Sequence, residues 1–339
     1  MIGYYVHHHG LGHLRRATCV ARCLGTPITA LSSLPRPPGW PGEWITLPRD
    51  DSPPAGSADV TAGGRLHWAP PHHSGLRDRM ARIAGWIAAT RPETFVVDVS
   101  AEVTTLSRLL GIPTVVVAQR GDRRDPAHAL AYDMAEGLLA PWPATSPEPR
   151  WPARWLAKTC HTGAFSRFDT RPRPASPPAG RRVTLMLGAG GTELEPLRLR
   201  EAEDGSPDWT WTALGGFATW LDDPWPILCA SDVVVTHAGQ SAIAECAAAR
   251  RPAIVIPQRR PFDEQHATAG ALHDAGLAEV LADWPEPARW PKILTAAAER
   301  DGDRWREWSP GDGAARAARY ITEVAARYAP KRADSCAQQ

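Results

Sequence analysis

The chain has 339 residues, a length that predicts two domains at about 150 residues each. Hydrophobic residues at 43% and charged residues at 22% exclude a disordered chain. Lys+Arg 38 against Asp+Glu 37 leaves a net charge of +1, which argues against a dedicated nucleic-acid binder or a strongly basic membrane-surface protein.

Residues 2–6, Ile-Gly-Tyr-Tyr-Val, form an apolar run that predicts a strand rather than a secretory leader. There is no stretch of about 18 apolar residues to span a membrane. Six cysteines occur, none in a CxxC pair, so neither a zinc site nor a disulfide framework is predicted and a cytoplasmic setting is expected. His7, His8 and His9 continue the strand into the turn Gly10-Leu11-Gly12 and are not assigned to a metal. A helix follows, with Leu14, Ala17, Val20, Ala21 and Leu24 at helical spacing. Pro and Gly crowd residues 34–71, which predicts loops and short strands. Next come a helix over 77–90, an apolar strand over 95–97 ending at Asp98, a helix carrying Val103 and Leu106 closed by Gly111, and a strand over 114–118. Continuous apolar strands alternating with helices predict a parallel sheet covered on both faces.

Residues 141–178 are rich in Pro, Trp and Arg and show no period, so they are assigned to the end of the first domain and a linker. A second α/β series opens with a strand over 183–187 and a glycine turn over 188–192. Strands over 209–214, 231–236 and 252–257, a helix over 242–249 and a last helix over 313–328 complete it. The predicted organisation is a first domain over 1–165, a linker over 166–181, a second domain over 182–328 and a polar tail over 329–339.

Three motifs carry candidate chemistry. In Gly10-Leu11-Gly12-His13-Leu14-Arg15-Arg16, the glycines permit close backbone approach to a ligand at a helix start. As a dinucleotide fingerprint the run fails, because Arg15 stands where the third small residue belongs. His13 lies at the carboxyl end of the first strand, where open α/β sheets place their ligands. Asp98 ends another strand and is a candidate to orient a base or an acceptor, with helix capping as the equal alternative; Glu102 is a weaker candidate. In the second motif, residues 231–245, a buried strand delivers His237 and Gly239 to a helix start. Gln240 and Ser241 expose N–H groups there to an anion such as a pyrophosphate. Glu245, four residues past Ser241, returns to the same helix face and suits two adjacent hydroxyls, as on a ribose. The third motif, Asp263-Glu264-Gln265, follows a buried strand and suits a ligand with several hydroxyls, such as a sugar. Arg120, Arg123 and Arg124 form a basic loop that suits an anionic or lipid-phosphate acceptor. Asp301-Gly302-Asp303 has the form of a metal-binding DxD but lies in a C-terminal turn, so no metal residues are assigned.

Together these motifs resemble the GT-B glycosyltransferases, in particular the family 28 group that includes the MurG-like peptidoglycan N-acetylglucosaminyltransferases. The resemblance spans both domains and is most specific over 220–267: Trp220-Leu221-Asp222-Asp223, the buried strand, His237-Ala238-Gly239, Glu245 and a later loop with Gln265. It implies an α/β fold of GT-B type, two Rossmann-like domains facing across a cleft. It further implies that Trp220 and Leu221 bracket the base, that Gly239, Gln240 and Ser241 hold the diphosphate, and that Glu245 holds the ribose. Glu264 and Gln265, with Asp263 beside them, are then placed at the donor sugar, and Gly190, Gly191 and Thr192 near the phosphates. Gly10, Gly12, His13 and Arg16 belong to the first-domain loop that faces the acceptor. The sequence departs from the family's usual Asn-Ala after the Gln, having His266-Ala267, which bears on the identity of sugar and acceptor.

The activity so implied is transfer of a hexose or N-acetylhexosamine from a UDP-type nucleotide sugar to an acceptor hydroxyl, inverting and without a metal or cofactor. His13 is the candidate general base, and His237 with the helix start stabilises the leaving diphosphate. The acceptor is lipid-linked or a small molecule, and peripheral contact at the inner membrane face is compatible with it. The same architecture also serves a nucleotide-sugar hydrolase or 2-epimerase, which needs only the donor, or a non-catalytic nucleotide-sugar-binding subunit.

Overall fold

The structure is a computed structural model that describes residues 1–53, 58–174 and 180–329. The first sheet contains β1 (Ile2–Val6), β2 (Ile28–Ser32), β3 (Glu43–Thr46), β4 (Thr94–Asp98), β5 (Thr114–Val117), β6 (Gly137–Ala140) and β7 (Thr159–His161). All neighbours pair in parallel, in the order β3-β2-β1-β4-β5-β6-β7. The second sheet contains β8 (Arg182–Met186), β9 (Thr210–Leu214), β10 (Val233–Thr236), β11 (Ala253–Val255) and β12 (Glu279–Val280), parallel in the order β12-β11-β10-β8-β9. Every residue of β1, β2, β4, β5 and β6 is buried, as expected of parallel strands with helices on both faces.

Those helices are α1 (Leu11–Cys23), α2 (Ser74–Thr90), α3 (Ala101–Leu109), α4 (Pro126–Met134) and α5 (Ala153–Leu156), then α6 (Pro196–Gly205), α7 (Trp225–Ala230), α8 (Gln240–Ala249), α9 (Glu264–Asp274), α10 (Trp290–Ala298) and α11 (Gly313–Arg327). Local caps set several of their starts. Ser100 accepts from the Val103 N–H at 3.1 Å at the head of α3, and Asp125 accepts from His128 N–H at 3.1 Å at the head of α4. The aperiodic stretch after residue 141 contains α5 and β7, each too short to show a period. No helix among the described residues is long and apolar enough to cross a membrane.

The domain boundaries need one correction. The sequence places the last helix in the second domain, yet α11 lies on the first sheet. Its buried residues Ala317, Ile321 and Val324 share a core with Tyr4, Val96, Val115, Leu139 and Phe165. A strongly two-faced helix must bury its apolar side, and sequence periodicity does not say against which sheet. The chain therefore crosses between the lobes twice. Ile321 is fully buried in this core, so Ile321→Ala is expected to lower unfolding free energy by about 2–5 kcal/mol, as measured by denaturant titration. Of the expected tail, all but Ala329 lies outside the described residues, as does part of the expected linker.

Candidate active site

The carboxyl ends of β1, β5, β8, β9, β10 and β11 converge on a cleft of about 260 Å³ between the lobes. This is the edge at which open parallel sheets bind their ligands. Gly10, with φ +83°, turns the chain from β1 into α1. Gly12 sits close against the other lobe, since a Cβ there would lie 3.1 Å from Ser241 Oγ on the opposite wall.

On the first-lobe wall, His13 Nδ1 lies 2.8 Å from Asp98 Oδ1. Asp98 is completely buried at the end of β4. Burial by itself would raise its pKa, but Arg16 and His13 outweigh burial and hold the carboxyl below the usual range. Arg16 donates Nε to Asp98 Oδ2 at 3.0 Å and one terminal nitrogen to Oδ1 at 2.5 Å, and its other terminal nitrogen reaches Gln240 Oε1 at 2.6 Å. Arg16 borders the cleft, but its guanidinium is taken up by Asp98 and Gln240 rather than offered to substrate. The Arg16 terminal nitrogen that lies 3.0 Å from His13 Nδ1 is spent on Asp98 Oδ1, and a carboxylate can only accept, so His13 Nδ1 keeps its proton and donates it to Asp98, and Nε2 then presents its lone pair.

On the opposite wall, Gly239, Gln240 and Ser241 form the start of α8, whose free N–H groups and positive dipole end suit an anion. Gly190 and Gly191 line the cleft on the turn after β8, where Arg260 fixes their carbonyls at 2.8 and 2.9 Å. His237 also lines it, but both ring nitrogens are engaged. Nδ1 donates to the Ile256 carbonyl at 2.9 Å, so Nε2 accepts from the Thr192 hydroxyl at 3.0 Å, and burial pushes its pKa down. The Thr192 hydroxyl in turn accepts from Leu194 N–H at 3.0 Å and Gln258 Nε2 at 3.2 Å. Thr192 thus stands behind the cleft as a brace, and His237 as an uncharged wall residue rather than a free donor to the leaving group.

Glu245 is buried and accepts on one oxygen from Arg15 at 3.2 Å and Arg167 at 3.1 Å. Burial raises its pKa despite the two arginines. Arg15 also lies 5.5 Å over the ring of Trp220, which borders the cleft with Leu221, and Arg167 donates to the Asp222 carbonyl at 2.7 Å. Gln265 Oε1 accepts from Gln258 N–H at 2.9 Å, and Glu264 pairs with Arg123 at 3.0 Å.

Two expectations are corrected here. Asp263 does not line the cleft: its carboxylate is 71% exposed and pairs with His266 at 2.9 Å. The basic loop is not an open anion site. Arg120 is buried with Glu148 at 3.0 Å, Arg123 is buried with Glu264, and Arg124 pairs with its neighbour Asp122 at 2.8 Å. Buried cations of this kind must be matched internally. Arg15, Gln119, Gln258 and Arg260 also line the cleft, beyond the residues that the sequence marks for binding. Gln119 and Gln258 each follow a buried strand closely, the same positional signal that flagged His237.

Two groups among the described residues bring potential metal ligands within 4.8 Å of one another: His8, His9 and Asp51, and His67, Asp125 and His128. In the second, His128 Nε2 faces Arg123 at 3.4 Å and Nδ1 faces Asp125 Oδ2 at 2.6 Å. A metal on Nδ1 would move the proton to Nε2, against a guanidinium. Asp301 accepts from Asp303 N–H at 2.9 Å in a tight turn.

Residues 214–293 match the glycosyltransferase family 28 C-terminal domain. Over the whole chain, the calicheamicin glycosyltransferase CalG4 superimposes with TM-score 0.67 at 17% identity, covering 97% of this chain and 99% of that one. MurG of Acinetobacter baumannii superimposes with TM-score 0.62 at 14% identity, covering 95% and 99%. The chain has the GT-B fold, and within it residues 214–293 match the family 28 C-terminal domain. Among curated sequences, the UDP-N-acetylglucosamine–N-acetylmuramyl-(pentapeptide) pyrophosphoryl-undecaprenol N-acetylglucosamine transferase of Verminephrobacter eiseniae is 26% identical over 217 residues, 51% of this chain and 58% of the relative. An uncharacterised glycosyltransferase of Methanopyrus kandleri is 31% identical over 152 residues, 42% and 41% of the two chains. The chain spans about half the length of these curated relatives. In this GT-B frame the matched segment runs from the end of β9 into α10, so it carries Trp220, His237 to Glu245, and Gln265.

Proposed function

We propose that the protein transfers a sugar from a UDP-type nucleotide donor to an acceptor hydroxyl. One observation carries the reading: the His13–Asp98 pair faces the start of α8 across the cleft. The donor diphosphate lies against Gly239–Ser241, the base beside Trp220 and Leu221, and the ribose at the remaining oxygen of Glu245. Gln265, its carbonyl fixed by Gln258, points its amide donors at the sugar, with Glu264 beside it. His13 Nε2 takes the acceptor proton as the hydroxyl oxygen bonds to the anomeric carbon, and the breaking C–O bond leaves its electron pair on the diphosphate. The N–H groups of α8 meet the charge that develops there, so the reaction needs neither a metal nor a further cofactor. Single displacement inverts the anomeric centre. The acceptor is a small molecule or a lipid-linked hydroxyl; with the latter, the protein works peripherally at the inner membrane face.

The test is UDP release from a panel of UDP-sugars, with and without candidate acceptors, with free sugar assayed alongside. Acceptor-dependent release supports transfer, whereas equal release of free sugar without an acceptor identifies a hydrolase, and nucleotide binding without turnover identifies a binding subunit. Glu245→Ala removes the ribose acceptor and strands two arginines, so UDP affinity measured by calorimetry is expected to fall by about tenfold or more. Unchanged affinity would contradict the ribose assignment.

A further inference from the structure

We propose that Phe262 is the positioning residue through which the first lobe shapes the donor-sugar pocket, an inference that rests on the assignment of Glu264 and Gln265 to the sugar. Phe262 and Asp263 are consecutive non-glycine residues in the left-handed region, at φ +60° and +59°. Side chains rarely adopt that conformation unless their surroundings impose it. The next two residues are Glu264 and Gln265, the first turn of α9, so the strained pair sets how both enter the cleft.

What imposes the conformation belongs to the other lobe. The Phe262 carbonyl accepts from Asp122 N–H at 2.8 Å. The approach is open only because residue 121 is glycine, since a Cβ there would lie 2.2 Å from that carbonyl oxygen. The Phe262 ring meets His128 edge-on at 4.6 Å and His67 at 5.7 Å, and the Arg123 guanidinium lies 4.5 Å over it. That socket is itself fixed. His128 and His67 both bond Asp125, at 2.6 and 3.1 Å, and Arg123 donates Nε to the Arg120 carbonyl at 3.1 Å. Arg123 then reaches past the ring to Glu264 at 3.0 Å.

The diphosphate and base contacts at Gly239–Ser241, Trp220 and Leu221 lie on the second lobe and do not pass through this socket. Removing the ring frees the turn and lets Glu264, held by Arg123 of the socket, leave the sugar, while the nucleotide grip stays. The sugar moiety is therefore read only while the acceptor lobe holds Phe262.

Calorimetric titration of the full chain with UDP and with UDP-glucose and UDP-N-acetylglucosamine tests this. Phe262→Ala is expected to leave UDP affinity unchanged and to weaken whichever UDP-sugar the wild type binds by about tenfold, the loss of one good contact. Phe262→Tyr keeps the ring and is expected to restore it. Gly121→Ala, which pushes the carbonyl away without altering the loop's own residues, reproduces the alanine phenotype and serves if Phe262→Ala folds poorly. Variants that bind UDP and UDP-sugar as the wild type does, or that lose both alike, overturn the proposal. A wild-type protein that binds no nucleotide takes down the functional reading as well, and so separates the two failures.

Discussion

His13→Ala is expected to lose at least about 100-fold in turnover while UDP affinity stays near the wild-type value. The split follows from the geometry. His13 stands on the first-lobe wall, bonded to Asp98 at 2.8 Å, while the residues proposed to hold the nucleotide, on α8 and at Trp220, line the cleft across from it. Truncation removes the proton acceptor without touching the anion site. Steady-state rates at saturating donor, paired with UDP titration, decide it: turnover within about tenfold of wild type would remove His13 as the base.

Asp98→Asn is expected to cost more than its isosteric shape suggests, roughly 10³- to 10⁴-fold in turnover. The carboxylate can only accept, and that fixes the His13 proton on Nδ1. An amide can turn its NH₂ towards Nδ1, leaving Nε2 protonated and useless as a base. The same substitution leaves the buried Arg16 facing a neutral partner, so unfolding free energy is expected to fall by about 3–5 kcal/mol. The pH dependence follows from the depressed pKa of Asp98. A carboxyl whose folded pKa lies below the unfolded value of about 4 stabilises fully above that value and loses the contribution as pH falls towards the folded one. Acid titration of stability should therefore show a steeper loss below about pH 4 in the wild type than in the asparagine variant. Parallel acid profiles would mean that Asp98 is not the group holding this network charged.

Much of this site is legible in the sequence because parallel sheets announce their ligand edge. A continuous apolar run that stops at a polar residue marks the carboxyl end of a strand, and His13, Asp98, His237 and Gln265 all follow such runs. What the chain order hides is who faces whom. Arg15 and Glu245 are 230 residues apart, Arg123 and Glu264 are 141 apart, and Arg16 and Gln240 are 224 apart. Each looks like a solvated charge or amide until the lobes are brought together, which is why the basic loop reads as open and Arg16 as a substrate contact. His237 illustrates the same limit at short range, since only the structure shows that Ile256 and Thr192 occupy both its nitrogens. Elements of two to four residues, such as β12, β7 and α5, carry too few side chains to reveal a period. The destination of α11 is hidden for a different reason: its amphipathic face requires a partner surface but does not specify one.

The return of α11 to the first sheet makes the half built on the second sheet an insertion within the other half, with both described ends of the polypeptide anchored on the same body. Two separate straps then join the halves, so any swing between them would run like a door on paired hinges rather than a bead on a string. Fluorophores placed at the two ends would ride together and stay blind to that swing, whereas a pair at the exposed Leu109 and Leu197 would register it.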